Sequence, residues 1–168
     1  DIKKPVLIKD ICWMKKLLIL FFIALQGVVQ AQLLKGKVSH VYDGDTFRLN
    51  QPSGLFERIR LANIDAPEIK QSYGLLARCF LKKLIDKKVV EVDIITTDKY
   101  GRKVALLYMN GRQINRLLVA EGLAWNYPQY STDTILVSVE KSARVHKIGL
   151  WQEENPTPPW RFRAERRQ

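Results

Sequence analysis

The sequence predicts an α+β chain, mainly β, in which five short strands make a small closed or nearly closed barrel with three helices packed against it. Three observations predict it. Short stretches of alternating character follow one another from Gly36, an Asp-Gly dipeptide separates the first two, and apolar residues at helical spacing occur in three separate later stretches.

The elements follow in order. "KVSHVYD" (37–43) and "TFRLNQ" (46–51) flank Asp43-Gly44, the strongest short-range hairpin signal. "QPSG" (51–54) is a second turn, and "ERIRLANI" (57–64) completes a three-stranded meander. In "SYGLLARCFLKKLI" (72–85), Leu76, Phe80 and Leu84 lie four apart with Ala77 and Leu81 beside them, which predicts one apolar helix face. Cys79 on this helix reads as a small buried hydrophobe. "KKVVEVDIITT" (87–97) and "KVALLYM" (103–109) are strands joined across "DKYG". After Asn110-Gly111, "QINRLLVAEG" predicts a helix stopped by Gly122, and "SVEKSARVHKIG" another ending at Gly149. The proline-limited, basic tail "PTPPWRFRAERRQ" is expected to run extended along the surface, and no internal repeat is visible.

The first thirty or so residues do not belong with this pattern. Met14-Lys15-Lys16, the apolar run Leu17 to Leu25 and Val29-Gln30-Ala31 are the parts of a secretory signal peptide, too short for an ordinary membrane span. The expectation is a disordered upstream extension at 1–13, a signal peptide at 14–31 cleaved after Ala31, one domain at 32–168 with a basic tail from about 155, and a secreted or periplasmic protein. No Cys stands near the cleavage point to accept a lipid. Of 28 basic and 17 acidic residues, five and two precede residue 32, so the domain keeps a net charge of +8. Such a surface adheres to polyanions, which names a class of partner and not a chemistry. Cys79 alone remains in the domain, which excludes an internal disulfide there. His40 and His146 have no nucleophile-like spacing to it and read as exposed or capping groups, His146 suiting the end of a helix. Trp125, Trp151 and Trp160 read as core or tail-anchoring aromatics.

"DGDT" (43–46) sets two carboxylates one residue apart around a glycine, which is either hairpin punctuation or half of a metal site. With "RIRLANIDAPE" (58–68), "DKYGR" (98–102) and "GLAW" (122–125), in that order, the sequence closely resembles the staphylococcal nuclease (thermonuclease) family over about residues 36–160. "DGDT" alone is a weak signal; the combination is a strong one.

The resemblance implies an OB-fold barrel and a Ca²⁺-dependent endonuclease that hydrolyses single- and double-stranded DNA and RNA with little sequence preference. It implies attack by water, a leaving 5′ oxygen and 3′-phosphate ends. Cleaving a phosphodiester requires holding the phosphate, activating water and stabilising added charge. Asp45 and Asp65 offer hard oxygens of the kind Ca²⁺ prefers, and the resemblance makes them direct ligands with the backbone carbonyl of Ala66, where family members often carry Thr. Asp43 is either a further group near the ion, acting through water, or the first residue of the turn. Glu68, behind Pro67, takes the general-base role in the resemblance.

Arg60 and Arg102 supply the cationic half, since an arginine fork donates two hydrogen bonds to one phosphate and keeps its charge. Arg58 shares the strand parity of Arg60, and only the family motif singles out Arg60. Lys99 and Tyr100 resemble substrate contacts at a hairpin tip, and Tyr127 and Tyr130 the tyrosines that flank a nucleotide. The expected protein is a monomer. Two other classes compete with the enzyme: a non-catalytic OB-fold nucleic-acid-binding module, and a cationic membrane-associated protein held by an uncleaved apolar segment. The presence of Asp45, Asp65, Arg60, Glu68 and Arg102 together counts against the first.

Overall fold

The computed structural model of the protein describes residues 33–166. The predicted upstream extension and signal peptide, residues 1–31, lie outside the described residues. Five strands make the barrel: β1 (Leu34–Val41), β2 (Thr46–Asn50), β3 (Phe56–Leu61), β5 (Val89–Thr97) and β6 (Lys103–Met109). They run in the order β3-β2-β1-β5-β6, and a parallel pairing of β3 with β6 closes the cylinder. Register shifts in β1–β2 near Val38–His40 and in β5–β6 near Ile94–Thr96 let the strands coil as closure demands. Alternation points Phe47 and Leu49, Ile59 and Leu61, Val90 and Val92, Ala105 and Leu107 inward, all essentially excluded from water.

The remaining elements are short strands β4 (Ile64–Asp65), β7 (Arg112–Gln113) and β8 (Trp125–Asn126), and helices α1 (Gly74–Ile85), α2 (Ile114–Ala120), α3 (Thr134–Val145) and α4 (Pro159–Glu165), with a 3₁₀ turn at Gly149–Gln152. Antiparallel β4 and β8 pair Asp65 with Trp125.

Four expectations are corrected. The tail is not extended throughout. Pro159 begins α4, where proline's fixed φ suits a first helical turn and its missing N–H costs nothing. α3 starts four residues earlier than expected, because Asp133 caps it, accepting hydrogen bonds from the N–H groups of Ile135 (2.9 Å) and Leu136 (3.3 Å).

α1 is turned from its expected face: Gly74, Ala77, Leu81 and Ile85 are buried, Phe80 and Leu84 are only partly buried, and Leu76 is 58% exposed. Cys79, on the outer side, is exposed and not a core residue. The cause lies in the "DGDT" turn. Gly44 does not take the left-handed conformation expected of an Asp-Gly hairpin. Its missing Cβ matters instead, since one placed there would stand 2.7 Å from the Cβ atoms of both Ala66 and Ala77. The helix therefore approaches over its smallest side chain.

Truncating Leu81 to Ala is expected to lower the unfolding free energy by about 3 kcal/mol, and Leu76→Ala by less than about 0.5 kcal/mol. Urea denaturation measures both, and equal costs would contradict this orientation of α1.

Candidate active site

The functional side chains meet where the barrel's connections crowd together. Asp43 accepts the N–H of Asp45 at 3.0 Å, closing the turn after β1 and presenting Asp45 inward. The Asp45 carbonyl accepts the N–H of Leu61 (2.8 Å), which locks the turn to the end of β3. Register does the rest of the alignment, setting Thr46 opposite Arg60.

Beyond Leu61 the chain reverses through Asn63, held at φ 65°, a conformation asparagine tolerates. Buried Asn115 on α2 fixes this reversal by donating to the Ala62 carbonyl (2.9 Å) while accepting the N–H of Leu107 (2.9 Å). Asp65 thus arrives beside Asp45, and the Ala66 N–H donates to Asp45 Oδ2 at 2.7 Å.

Glu68 sits on the following loop, where Gln71 accepts its N–H (3.2 Å) and Gln71 N–H returns to its carbonyl (2.8 Å). Gly74 is obligatory beneath this loop, because a Cβ there would fall 1.8 Å from the Glu68 carbonyl oxygen.

Two arginines neutralise the carboxylates. Arg60 pairs with Asp45 Oδ2 (2.9 Å) and Asp65 Oδ1 (2.8 Å), and its Nη1 also donates to the Leu61 carbonyl (2.9 Å). Arg58, of the same strand parity, is exposed and lies over the Tyr42 ring at 4.6 Å, outside this group. Arg163, from α4, was not foreseen. Its Nη2 donates to Asp65 Oδ2 (2.7 Å), and its Nη1 to Asp65 Oδ1 (3.3 Å) and Glu68 Oε1 (2.8 Å).

Burial pushes the Asp65 carboxyl up from its ordinary range, while the hydrogen bonds from Arg163 and the charge of Arg60 pull it down. Burial, and then the neighbouring charge of Asp45, push Asp43 up to about 7. Desolvation opposes the charge on Arg163, but its bonds to Asp65 and Glu68 outweigh this and hold its proton more firmly than usual.

All eleven residues singled out in the sequence line one cleft of about 970 Å³. Asp43, Asp45, Asp65, Ala66, Glu68 and Arg60 form its floor, and Arg102 comes from the β5–β6 hairpin. Arg102 does not touch the floor carboxylates; its Nε donates to Asp98 Oδ2 at 2.7 Å. Although partial burial acts the other way, bonds from the Arg102 side chain and from the N–H groups of Arg102 and Tyr100 hold Asp98 below the usual carboxylate range. Lys99 and Tyr100 are exposed at the hairpin tip, with Lys99 Nζ 5.2 Å from the Tyr100 ring centre. Tyr127 and Tyr130 meet edge to face (4.9 Å), and Trp160 of α4 lies parallel to Tyr127 at 5.1 Å. Trp160 lines the same cleft, a placement its reading as a tail anchor did not give.

The fit to Ca²⁺ rests on the chemistry of the donors. The possible ligands at the floor are carboxylate and carbonyl oxygens, hard donors of the kind Ca²⁺ prefers. Among the described residues no three His, Cys, Asp or Glu side chains form a cage for a metal. A set of two carboxylates and one main-chain carbonyl fits a hard ion that keeps several waters.

Residues 58–153 match the family model for staphylococcal nuclease homologues. The chain is similar to an uncharacterized endonuclease of Escherichia coli O157:H7, 42% identical over 131 residues that span 77% of this chain and 85% of the relative. It is similar to a micrococcal nuclease of Shigella flexneri, 37% identical over 140 residues, 77% of this chain and 80% of that one. A staphylococcal-like nuclease of Arabidopsis thaliana matches at 40% over 110 residues, 66% of this chain but 34% of its own length.

Arg60→Gln leaves Asp45 buried without its ion-pair partner and Asp65 with Arg163 alone, and is expected to cost about 3 kcal/mol of ion-free stability. Arg58→Gln gives up only an exposed ring contact and should cost less than about 1 kcal/mol. Urea denaturation at pH 7 with a chelator measures both; a cheap Arg60→Gln would remove Arg60 from the centre of the charge network.

Proposed function

Because this chain belongs to the staphylococcal nuclease family, it is a nuclease, and we propose that it is an exported, Ca²⁺-dependent endonuclease that hydrolyses single- and double-stranded DNA and RNA as a monomer. The observation that carries this reading is the convergence of Asp45, Asp65, Arg60 and Glu68 on the floor of one cleft, with Arg102 on its wall.

Asp45, Asp65 and the Ala66 carbonyl would hold the cation, with Asp43 acting through water; the ion supplies Lewis-acid polarisation of the phosphate. Glu68 takes a proton from the attacking water at its carboxylate. Asp98 engages Nε of Arg102, and among the described residues no carboxylate pairs with either Nη group of Arg102, which leaves the fork for a phosphate. Arg60 stabilises the charge that develops as water adds to phosphorus and the bond to the 5′ oxygen breaks; the leaving oxygen takes a proton from solvent water, giving 3′-phosphate and 5′-hydroxyl ends. Arginines bind phosphate oxygens, Lys99 adds charge at the rim, and Tyr100, Tyr127 and Tyr130 offer ring faces to any base, which supports low sequence preference. Export is supported by the signal-peptide pattern of residues 14–31, and a site with few protein carboxylates suits the Ca²⁺ concentrations outside the cell.

Purified chain is expected to degrade single-stranded DNA with Ca²⁺ and to stop when a chelator is added. Activity that survives chelation contradicts the cation's role, and no activity with Ca²⁺ favours the non-catalytic binding module. Glu68→Gln should lose at least about 10²-fold in turnover while oligonucleotide binding persists; equal turnover would take the base role away from Glu68.

A further inference from the structure

Arg163 has no counterpart among the motifs that carry the family resemblance, and α4 lies beyond the family-matched segment, which ends at residue 153. Its position is nevertheless more central than that of Arg102. The guanidinium fork meets both oxygens of Asp65 and one oxygen of Glu68, joining the expected cation ligand to the expected base. Asp65 is 1% exposed, so every approach to its carboxylate runs through a neighbour. On one side stands Arg60, 12% exposed and tied also to Asp45 and the Leu61 carbonyl; on the other stands Arg163, 33% exposed and lining the cleft. The side open to an incoming ion is the one Arg163 covers.

We propose that Arg163 is a further residue of this site, a positioning arginine that stands in for the divalent cation on Asp65 in the ion-free chain and gives way to it when the ion binds. The inference rests on the proposed Ca²⁺ site at Asp45 and Asp65. Two positive groups cannot share that face of one carboxylate at low cost, so arginine docking and cation binding oppose each other, and by linkage each weakens the other equally. Without Arg163, Glu68 would lose its ion pair and Asp65 would keep Arg60 alone; with it the two carboxylates are joined through one guanidinium.

The exchange needs only a local movement. α4 is held independently, by Trp160 parallel to Tyr127 and edge-on to Trp125 (5.7 Å), and by the Gln71 side chain donating to the Thr157 carbonyl just ahead of the helix. The same Gln71 accepts the Glu68 N–H, so the base loop and the approach to α4 form one unit.

Calorimetric titration of Ca²⁺ into the full chain and into Arg163→Gln, without nucleic acid, tests this. The variant is expected to bind Ca²⁺ about 10-fold more tightly, and Arg163→Lys, which keeps the charge but loses the fork, to fall between them. Equal or weaker binding by a folded Arg163→Gln overturns the exchange. Should that variant not fold, NMR of the Arg163 guanidinium in the unaltered chain decides: a shift of its Nη signals towards those of a solvated arginine on Ca²⁺ saturation supports the proposal, and unchanged signals overturn it. If the unaltered chain binds Ca²⁺ and cuts DNA while these tests fail, only the inference falls; if it does not bind Ca²⁺ at all, the cation reading falls with it.

Discussion

Burying Asp65 is the constraint from which the rest of the site follows. A carboxylate removed from water is costly unless it is paired and hydrogen-bonded, and Asp65 is paired twice, by Arg60 from the barrel wall and by Arg163 from the last helix. Arg60 in turn reaches Asp45, so one strand residue ties together carboxylates that arrive from two different connections. Burial rather than length decides the importance of such pairs. Lys35 and Glu91 meet at 2.7 Å on the surface, where such a pair contributes at most about 1 kcal/mol. The pairs around Asp65 are no shorter, but Asp65, 1% exposed, cannot turn to water instead.

The barrel supplies the rigidity this network requires. β3 is bonded on both edges, antiparallel to β2 and parallel to β6, so Arg60 cannot shift without breaking the closure. Asn115 pins the reversal that delivers Asp65, and Gly44 and Gly74 let α1 approach the floor from below. The proposed substrate contacts, by contrast, sit on projecting parts. Lys99 and Tyr100 ride on a hairpin tip beyond the barrel, and Tyr130 is 66% exposed. Fixed groups for the chemistry and adaptable ones for a varied polymer are a sensible division of labour.

Much of this was legible in the sequence. Alternation and the Asp-Gly signal located the five barrel strands, and the family motifs gathered the residues that share the cleft. Pattern alone could not separate Arg60 from Arg58, because parity places both on one face; burial and the pairing to Asp45 and Asp65 separate them. The buried face of α1 was misread because its larger apolar residues surround more than one side, and the choice was made by a contact 33 residues away, between Ala77 and Gly44. Arg163 was hidden by the prolines before it, which read as a barrier to structure although Pro159 opens a helix. The arginine three residues beyond Trp160 on that helix was the available signal, and only tertiary packing shows that it reaches Asp65, 98 positions earlier in the chain.

The central claim is that Asp45 and Asp65 hold the reactive cation at the point where the charge network converges. The most direct measurement is the anomalous scattering of a crystal of this protein soaked in Ca²⁺. The account predicts a single strong peak about 2.3–2.6 Å from a carboxylate oxygen of each of the two residues. A peak elsewhere in the cleft, or none from a crystal of chain that cuts DNA only with Ca²⁺, would contradict it.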